Sequence, residues 1–415
     1  MLKQLAIILL LAVTLTACHD DEPATAVQPD RTVIVYMAAE NNLSVYAWKN
    51  LQAMKEGSRS LTDRQCLLVY VDRSHPGELP YLARLSNGQV TDSMSIADMN
   101  ISTTDEYASD PHVFEDVLRY AVDHYTASQD YGLVLWGHSS GWFMEDSLLY
   151  TRGFGFDNGH NDRTTPTGYW LNIPTMSRVL KRLPVKWSFL MADCCHFACL
   201  ETAYELRGAV DYIVGSAAEI PGRGAPYDKI AADLFLPAET ACRSIADKYY
   251  SDLDEAQPLV VIKTDEMEQL ASATRTALLS VADSLHRRDL SYPNMDGIIH
   301  YLYFNDIVLQ YVQSNSVFYD AGDFIRHYVP TSVYTAWRQS LDRAVVYRLM
   351  ATRWLTQMAW GLYYSDFKLT TESYHGVSMF VPQSPHAGNY ARLNRDIRNM
   401  EWYAAVGLDC LINVH

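Results

Sequence analysis

Short apolar runs alternate with amphipathic stretches through the first half of the chain. The apolar runs predict buried strands, at 32–37, 66–71, 132–136, 187–190 and 212–216. The amphipathic stretches predict helices between these strands, near 44–55, 112–126, 175–183 and 199–207. Strands that alternate with helices of this length call for a parallel sheet with helices on both faces. The predicted fold class is therefore α/β.

The pattern changes after about residue 238. Helices are predicted near 265–289, 297–313, 320–328 and 331–348, and one apolar run at 259–262 is a further candidate strand. A late run from Gly376 to Pro382 indicates a strand that returns to the sheet. We expect a core at 31–237 and a helix-rich C-terminal region at 238–415.

Residues 1–17 have the pattern of an export signal. Lys3 supplies positive charge, and Leu5 to Leu15 is an apolar run too short to span a bilayer comfortably. The run ends in Leu15-Thr16-Ala17-Cys18, which resembles the lipobox of bacterial lipoproteins, where the Cys is acylated. The acidic residues at 19–22 resemble the surface-export signal of some Gram-negative lipoproteins. An ordinary secretory signal with a chance Cys is the alternative.

These features predict removal of 1–17, a lipidated tether at 18–30 and attachment to the outer membrane at the cell surface. The formal net charge of −16 argues against nucleic acid as a partner, because phosphates would repel the protein. The seven cysteines show no spacing typical of a disulfide framework. Most of them are therefore interpreted as buried, unreactive thiols.

Two of the apolar runs end in residues that can do covalent chemistry. His138 follows the run 132–136, and Cys195 follows the stretch that begins at Trp187. The carboxyl ends of parallel strands share one edge of a sheet, where ligands and catalytic groups collect. A thiol and an imidazole at that edge suggest a cysteine nucleophile with its base.

The residues alone leave three other interpretations open. Gly137 to Gly141 (Gly-His-Ser-Ser-Gly) matches the serine hydrolase elbow, with Ser139 as nucleophile, although no convincing helix follows it. Cys194-Cys195-His196-x-x-Cys199 suggests a zinc cluster, although no second ligand pair has suitable spacing. The third interpretation makes Cys195 a core thiol and His138 a satisfied core histidine. Small residues beside Cys195 and His138 argue against this third interpretation, because they leave room for a substrate backbone.

Longer motifs resemble those of the clostripain-like cysteine peptidases. They are the opening strand segment 32–43, the histidine motif 131–142, the segment 192–206 around the cysteine, and the segment 211–227. The resemblance implies a caspase-like, mostly parallel sheet, a dyad of Cys195 and His138, and cleavage after basic residues. Two positions depart from the family pattern: Ser139 replaces a usual Gly, and Cys194 replaces a common Ala.

Roles for the site residues follow from this interpretation. Cys195 attacks the scissile carbonyl, His138 protonates the leaving amine, and the backbone N–H groups of Cys195 and Ser139 stabilise the oxyanion. Asp193 lies two residues before Cys195 and so faces the same side of a strand. Its carboxylate would bind Arg, or less well Lys, before the cut. A turn carboxylate is the alternative for Asp193, and Glu219 is a weaker second wall of the same pocket.

The expected partners are peptide or protein substrates with Arg or Lys at the cleavage position, and the membrane through Cys18. No cofactor and no metal are predicted; some relatives depend on calcium, but the acidic loops here show no ligand pattern. Self-cleavage is predicted after Arg152 in the Gly-rich, polar loop 145–166, with Arg163 as fallback. A catalytically silent surface lipoprotein that binds through the same fold is the alternative function.

Overall fold

A computed structural model describes residues 27–75, 77–144, 153–159, 169–254, 257–301, 317–351, 353–356, 362–364, 369–387 and 390–412. The predicted signal peptide lies outside these residues, as do the predicted lipidation site Cys18, the predicted cleavage sites Arg152 and Arg163, and most of the predicted helix 297–313. Among the described residues, each helix is too short or too polar to serve as a membrane span.

Fifteen strands and eleven α-helices make up the described chain. The strands are β1 Arg31–Ala39, β2 Gln65–Arg73, β3 Tyr81–Ser86, β4 Gln89–Ser95, β5 Asp130–Gly137, β6 Phe154–Asp157, β7 Tyr169–Leu171, β8 Trp187–Asp193, β9 Val210–Gly215, β10 Leu259–Lys263, β11 Tyr319–Asp320, β12 Val345–Leu349, β13 Trp354–Thr356, β14 Leu362–Tyr364 and β15 Ser378–Met379. The helices are α1 Ser44–Gly57, α2 Pro111–His124, α3 Ile173–Arg182, α4 Leu200–Glu205, α5 Tyr227–Ile230, α6 Ala238–Asp252, α7 Met267–Arg287, α8 Ala321–Tyr328, α9 Thr331–Ala344, α10 Tyr390–Asp396 and α11 Glu401–Val406.

Nine strands form one central sheet in the order β12-β10-β9-β8-β5-β1-β2-β3-β4. The five strands from β9 to β2 pair in parallel, and the two outer strands at each end pair antiparallel. This confirms the predicted α/β fold with a mostly parallel sheet. Parallel strands bury both faces, which is why β1 is apolar almost throughout and buried at every position.

Strand order reverses at β1. The chain passes from β1 to β2 on one side, and later fills the other side with β5, β8 and β9. In open α/β sheets a crevice forms at such a reversal, beyond the carboxyl ends of the strands. The segments that follow β1, β5 and β8 therefore meet at one place.

The sheet continues past residue 237, because β10 and β12 are its far strands. The predicted boundary at 237/238 is thus not an edge of the sheet. The predicted helix 331–348 was too long: α9 ends at Ala344, and the β-branched and aromatic residues from Val345 onward pair with β10. The late segment 376–382 contributes β15, which pairs with β11 rather than with the central sheet.

Helices cover both faces of the sheet. The α6 face carries α1, α5 and α6, and the α2 face carries α2, α3, α4 and α7. Side chains alternate along each strand, so Met191 of β8 packs on the α6 face and Ala192 packs on the α2 face. The same alternation decides where the residues just past β8 point.

Candidate active site

His138 and Cys195 follow neighbouring strands that end at the same carboxyl edge of the sheet. The parallel neighbours β5 and β8 are paired up to Trp136 and Asp193. His138 and Cys195 each come two residues after that pair, on chains spaced about 4.8 Å apart in a sheet. The strand register therefore brings together the two residues that the sequence pattern places at this edge.

Cys194 and Cys195 point to opposite faces. Cys194 is 1 % exposed and lies in the apolar core of the α2 face, whereas Cys195 packs beside the α6 face and is partly exposed. His196 follows with φ of 53°, a left-handed conformation that turns the chain sharply away from the strand. Cys195, and not its neighbour, therefore presents its thiol to the crevice.

The Cys195 thiol is protonated at neutral pH. Burial raises its pKa to about 12, and the negative charge of Glu219 adds to this effect. The backbone N–H of Ile220 donates a hydrogen bond to Sγ at 3.3 Å, which favours the thiolate and opposes the shift. A nucleophilic thiolate therefore requires a base nearby to accept the proton.

The His138 imidazole is neutral at neutral pH and suited to that task. Desolvation lowers its pKa to about 4, and the charge of Glu219 opposes the shift. Nε2 lies 2.6 Å from Oδ1 of Asn42, an acceptor, so Nε2 carries the ring proton and Nδ1 keeps its lone pair. The Cys195 thiol and the His138 imidazole are thus both uncharged at neutral pH.

Asn42 contacts His138, and the sequence pattern did not single it out. It lies in the turn between β1 and α1, where Asn is a common turn residue. The available signal was its position, since it follows a strand that ends at the same edge as β5. Its contact with His138 fixes the orientation of the imidazole ring.

Gly137 lets β5 end close to β1. Its φ is 150°, and a Cβ at this position would lie 2.8 Å from the carbonyl oxygen of Ala38. A side chain here would push the two strand ends apart. The Gly before the histidine therefore fixes the position of His138 relative to the β1 end and Asn42.

Ser139 does not have the geometry of a serine nucleophile. It is nearly buried, and its hydroxyl oxygen accepts a hydrogen bond from the N–H of Gly141 at 3.2 Å. Its backbone pairs antiparallel with Phe154, and no helix begins in the described residues up to Met144. The serine elbow requires a strand–turn–helix, so this alternative loses its structural basis.

Asp193 shares a face with Cys195, as strand alternation predicts. Both oxygens of its buried carboxylate accept hydrogen bonds from within the protein. Oδ1 accepts from the Tyr249 hydroxyl at 2.5 Å, and Oδ2 accepts from the Tyr227 hydroxyl at 2.7 Å and from Ala225 N–H at 3.0 Å. Burial raises the pKa of Asp193, and these three donors oppose the shift. The side chain points into the layer of α5 and α6, so a substrate cation would share this carboxylate with the three donors.

Glu219 is the second carboxylate near the thiol. It lies beyond β9, next to Ile220, and its Oε1 is 3.9 Å from Nε2 of His196. Its charge acts on both Cys195 and His138. Two charged groups, Glu219 and Asp193, raise the pKa of Cys195, and both are acidic. The crevice around the thiol is therefore electronegative.

The model of the clostripain family matches residues 35–412. This chain belongs to the clostripain family of cysteine peptidases. It is similar to a secreted C11 cysteine protease from Bacteroides thetaiotaomicron in complex with an irreversible peptide inhibitor, with 25% identity, a TM-score of 0.71, and coverage of 92% of this chain and 99% of that chain. No curated protein sequence matches it.

This clostripain-family peptidase is also similar to an inactive zymogen C11 protease from Parabacteroides distasonis, with 26% identity, a TM-score of 0.72, and coverage of 92% of this chain and 99% of that chain. A further secreted C11 cysteine protease from Bacteroides thetaiotaomicron, named iotapain, has 18% identity, a TM-score of 0.65 and the same coverage, and shares the fold. The zinc interpretation finds no support in the peptidase: among the described residues, no Cys or His takes part in a group of three metal-ligating side chains.

Proposed function

We propose that the protein is an endopeptidase that cleaves after Arg, and less readily after Lys, through a dyad of Cys195 and His138. The supporting observation is the strand register: Cys195 and His138 each come two residues after a paired position of two neighbouring parallel strands, and Asn42 contacts the imidazole. Peptide hydrolysis needs a nucleophile and a group that moves its proton, and this pair supplies both.

In the proposed reaction, His138 Nδ1 takes the proton of Cys195 Sγ as the sulfur attacks the scissile carbonyl carbon. The tetrahedral intermediate collapses, the C–N bond breaks, and His138 returns the proton to the leaving amine. Water then attacks the thioester carbonyl while His138 accepts a proton from it, the C–S bond breaks, and His138 returns that proton to the Cys195 sulfur. The product acid releases its own proton to solvent and leaves as a carboxylate. The two pKa shifts fit this sequence, because neither group is charged before substrate binds.

The backbone orientation around Ser139 supports its proposed role as an oxyanion donor. Ser140 N–H donates to Gly153 O at 3.0 Å, and His138 O accepts from Gly155 N–H at 2.9 Å, so both groups point toward β6. β6 lies on the β1 side, where Asn41 donates its side-chain N–H to Phe156 O. Alternation along an extended chain directs Ser139 N–H the other way, toward β8 and Cys195. The residue type matters little for this role, because the donor is the backbone.

The preference for basic residues is proposed from the charge of the crevice. Glu219 and Asp193 both act on the thiol, and a substrate guanidinium or ammonium would be attracted to them. Glu219 is the proposed direct partner, because it lies beyond β9 next to Ile220, whose N–H contacts the Cys195 thiol. Arg is favoured over Lys because its planar fork can bind a carboxylate through two hydrogen bonds.

Hydrolysis of a fluorogenic peptide with Arg before the cut tests the proposed function. The purified protein should release the fluorophore, and a thiol-alkylating reagent should stop the release. A matched peptide with Asp at that position should be cut far more slowly. Absence of turnover, or equal turnover of both peptides, would contradict the proposal.

Asn42→Asp should move the acidic limb of the pH profile of kcat/KM upward by about 1–3 pH units. A carboxylate beside Nε2 favours the imidazolium, so the pKa of His138 rises from its lowered value, and the neutral base is lost at a higher pH. Asn42→Ala is the matched control: it should lower kcat but leave the limb nearly in place. An unmoved limb in Asn42→Asp would show that Asn42 does not face the base.

Self-cleavage after Arg152 is proposed as an activation step. The described chain stops at Met144 and resumes at Gly153, where Gly153 N–H donates to Phe143 O at 2.9 Å and Gly153 O accepts from Ser140 N–H. The residue that follows Arg152 is thus bound to the segment just after His138. The related protein from Parabacteroides distasonis is described as an inactive zymogen, which is in keeping with such a step.

Intact mass and N-terminal sequencing test this prediction. Wild-type protein should be cut with Gly153 as a new N-terminus, whereas Cys195→Ala and Arg152→Ala should stay whole at this position. A cut that moves to the bond after Arg163 in Arg152→Ala would support the fallback site. A fully active but uncut wild type, or equal cutting of Cys195→Ala, would refute self-processing.

We also propose that the protein is an outer-membrane lipoprotein exposed at the cell surface, with Cys18 as the acylated residue. The support is the lipobox-like Leu15 to Cys18, and the tether 18–30 ends where β1 begins at Arg31. Metabolic labelling with a radioactive fatty acid should mark the wild type and not Cys18→Ala. Equal labelling of both proteins would exclude this anchor.

A further inference from the structure

The hairpin of β6 and β7 places two aromatic rings next to the imidazole of His138. The ring of Phe156 meets the imidazole in a T-shaped contact, with the ring centroids 6.2 Å apart. The ring of Trp170 packs on Phe156 at a centroid distance of 5.1 Å. Phe156 belongs to β6 and Trp170 to β7, and these two side chains are called the aromatic wall.

The aromatic wall is not part of the hydrophobic core. Phe154, two residues before Phe156 on the same strand, is 0 % exposed and lies in the core of the α2 face. Phe156 and Trp170 are both partly exposed, and Tyr169 beside them is 50 % exposed. Large aromatic side chains that remain accessible at a crevice offer contact area to an apolar partner.

Backbone contacts hold the aromatic wall at a fixed place relative to the base. Gly155 N–H donates to His138 O at 2.9 Å, and the Asn41 side chain donates to Phe156 O at 2.6 Å. Gly155 has φ of 77°, and a Cβ there would lie 3.1 Å from the Cβ of Ala38. Glycine therefore lets β6 approach the end of β1 closely. The aromatic wall thus lies on the β1 side of His138, away from β8.

The order of the strands gives a direction to a bound substrate. Glu219 lies beyond β9, Cys195 beyond β8 and His138 beyond β5, and β6 comes next, beside β1. In the proposed reaction Glu219 attracts the basic side chain before the cut, and His138 protonates the nitrogen of the residue after the cut. A proton donor acts within hydrogen-bond distance, so this nitrogen lies at His138. The side chain of the residue after the cut then lies past His138, on the side of the aromatic wall.

We propose that the aromatic wall binds the side chain of the substrate residue that follows the cleaved bond, and that the peptidase prefers a large apolar residue there. Phe and Leu bury apolar area against the two rings, and Phe gains further from an edge-to-face or offset contact. Gly offers no side chain to this surface. This inference rests on the proposed function, because the direction of the substrate follows from the roles of Glu219 and His138.

The proposed self-cleavage before Gly153 does not need the aromatic wall. Gly153 has no side chain, and its N–H already donates to Phe143 O at 2.9 Å, so the fold itself holds this segment. A bond in the same chain is presented at a high effective concentration, which replaces the binding energy of a subsite. The preference therefore concerns peptides and proteins that are cut as separate molecules.

The test compares internally quenched peptides that share Arg before the cut and differ only in the next residue, which is Phe, Leu or Gly. Wild type should cleave the Phe peptide with a kcat/KM at least about tenfold above that of the Gly peptide, with the Leu peptide between them. Mass spectrometry of the products shows that the bond after Arg is the one cut. A second pair of peptides places Phe or Gly directly before Arg and tests the direction of the substrate.

Variants assign the preference to the aromatic wall. Trp170→Ala should lower the ratio of the kcat/KM values for the Phe and Gly peptides at least about fivefold, and Trp170→Phe should restore most of it because a ring remains. The matched control is Trp48→Ala, which removes a tryptophan of α1 that is 47 % exposed and should leave the ratio unchanged. Tm values of the three variants show whether each is folded.

Equal cleavage of the Phe and Gly peptides by wild type would overturn the inference and leave the proposed function intact, because both peptides would still be cut after Arg. A gain from Phe only when it precedes Arg would also overturn it, since the substrate would then run the other way. A ratio that falls in Trp48→Ala but not in Trp170→Ala would place the subsite on α1 instead. Failure to cut any of the Arg peptides would contradict the proposed function itself.

Discussion

Cys195→Ala should lower kcat at least about 10⁴-fold, whereas Cys194→Ala should keep most of the activity. The reason is the opposite orientation of the two neighbours: Cys195 is partly exposed beside His138, and Cys194 is buried in the α2-face core. Loss of the nucleophile removes the covalent step, and such losses reach many orders of magnitude in hydrolases. Steady-state turnover of the fluorogenic Arg peptide measures the effect.

Ser139→Ala completes that comparison. Its backbone N–H remains, so a measurable fraction of the activity should survive. Circular dichroism of all three variants would show that each is folded. If Ser139→Ala were inactive and Cys195→Ala active, the protein would be a serine hydrolase. If Cys194→Ala were folded but inactive, Cys194 would be the nucleophile.

Glu219→Gln should lower the preference for Arg over citrulline at least tenfold. Citrulline has nearly the shape of Arg without its charge, and a charge-assisted hydrogen bond is worth roughly 1.5–3 kcal/mol. Glu219 also acts on the pKa of Cys195 and of His138, so the substitution will change turnover of both peptides. The ratio of the two kcat/KM values cancels that shared change and isolates the contact with the substrate.

Asp193→Asn is the matched variant for the other carboxylate. We expect a smaller fall in the ratio and a clear loss of stability, because Tyr227, Tyr249 and Ala225 all donate to Asp193. An unchanged ratio in Glu219→Gln together with a collapsed ratio in Asp193→Asn would assign the substrate contact to Asp193. A wild type that cuts the citrulline peptide as well as the Arg peptide would exclude charge recognition altogether.

The fold, and the position of His138 and Cys195 at one edge of the sheet, could be predicted because they depend on local pattern. The runs before His138 and Cys195 are apolar throughout, as expected for strands buried on both faces, and parallel strands necessarily share an edge. The same pattern failed at 345–348, where the residues also suited the end of a helix. Pairing with β10 decided the outcome there, and pairing is a tertiary effect that local propensity does not contain.

Contacts between distant segments could not be predicted from the sequence. Asn42 and His138 are 96 positions apart, and a lone Asn in a turn carries no sign of its partner. Strand alternation correctly gave the face of Asp193 but not its two tyrosine donors, which come from α5 and α6.

The central claim, that Cys195 is the nucleophile of a peptidase selective for basic residues, is tested most directly by affinity labelling. A peptide with Arg before a thiol-reactive electrophile is incubated with the protein, and the labelled residue is located by mass spectrometry after digestion. We predict a label on Cys195 that forms much more slowly in His138→Ala and in wild type given the matching Asp peptide. A label on Cys194 or Ser139, or labelling that ignores the residue before the electrophile, would contradict the claim.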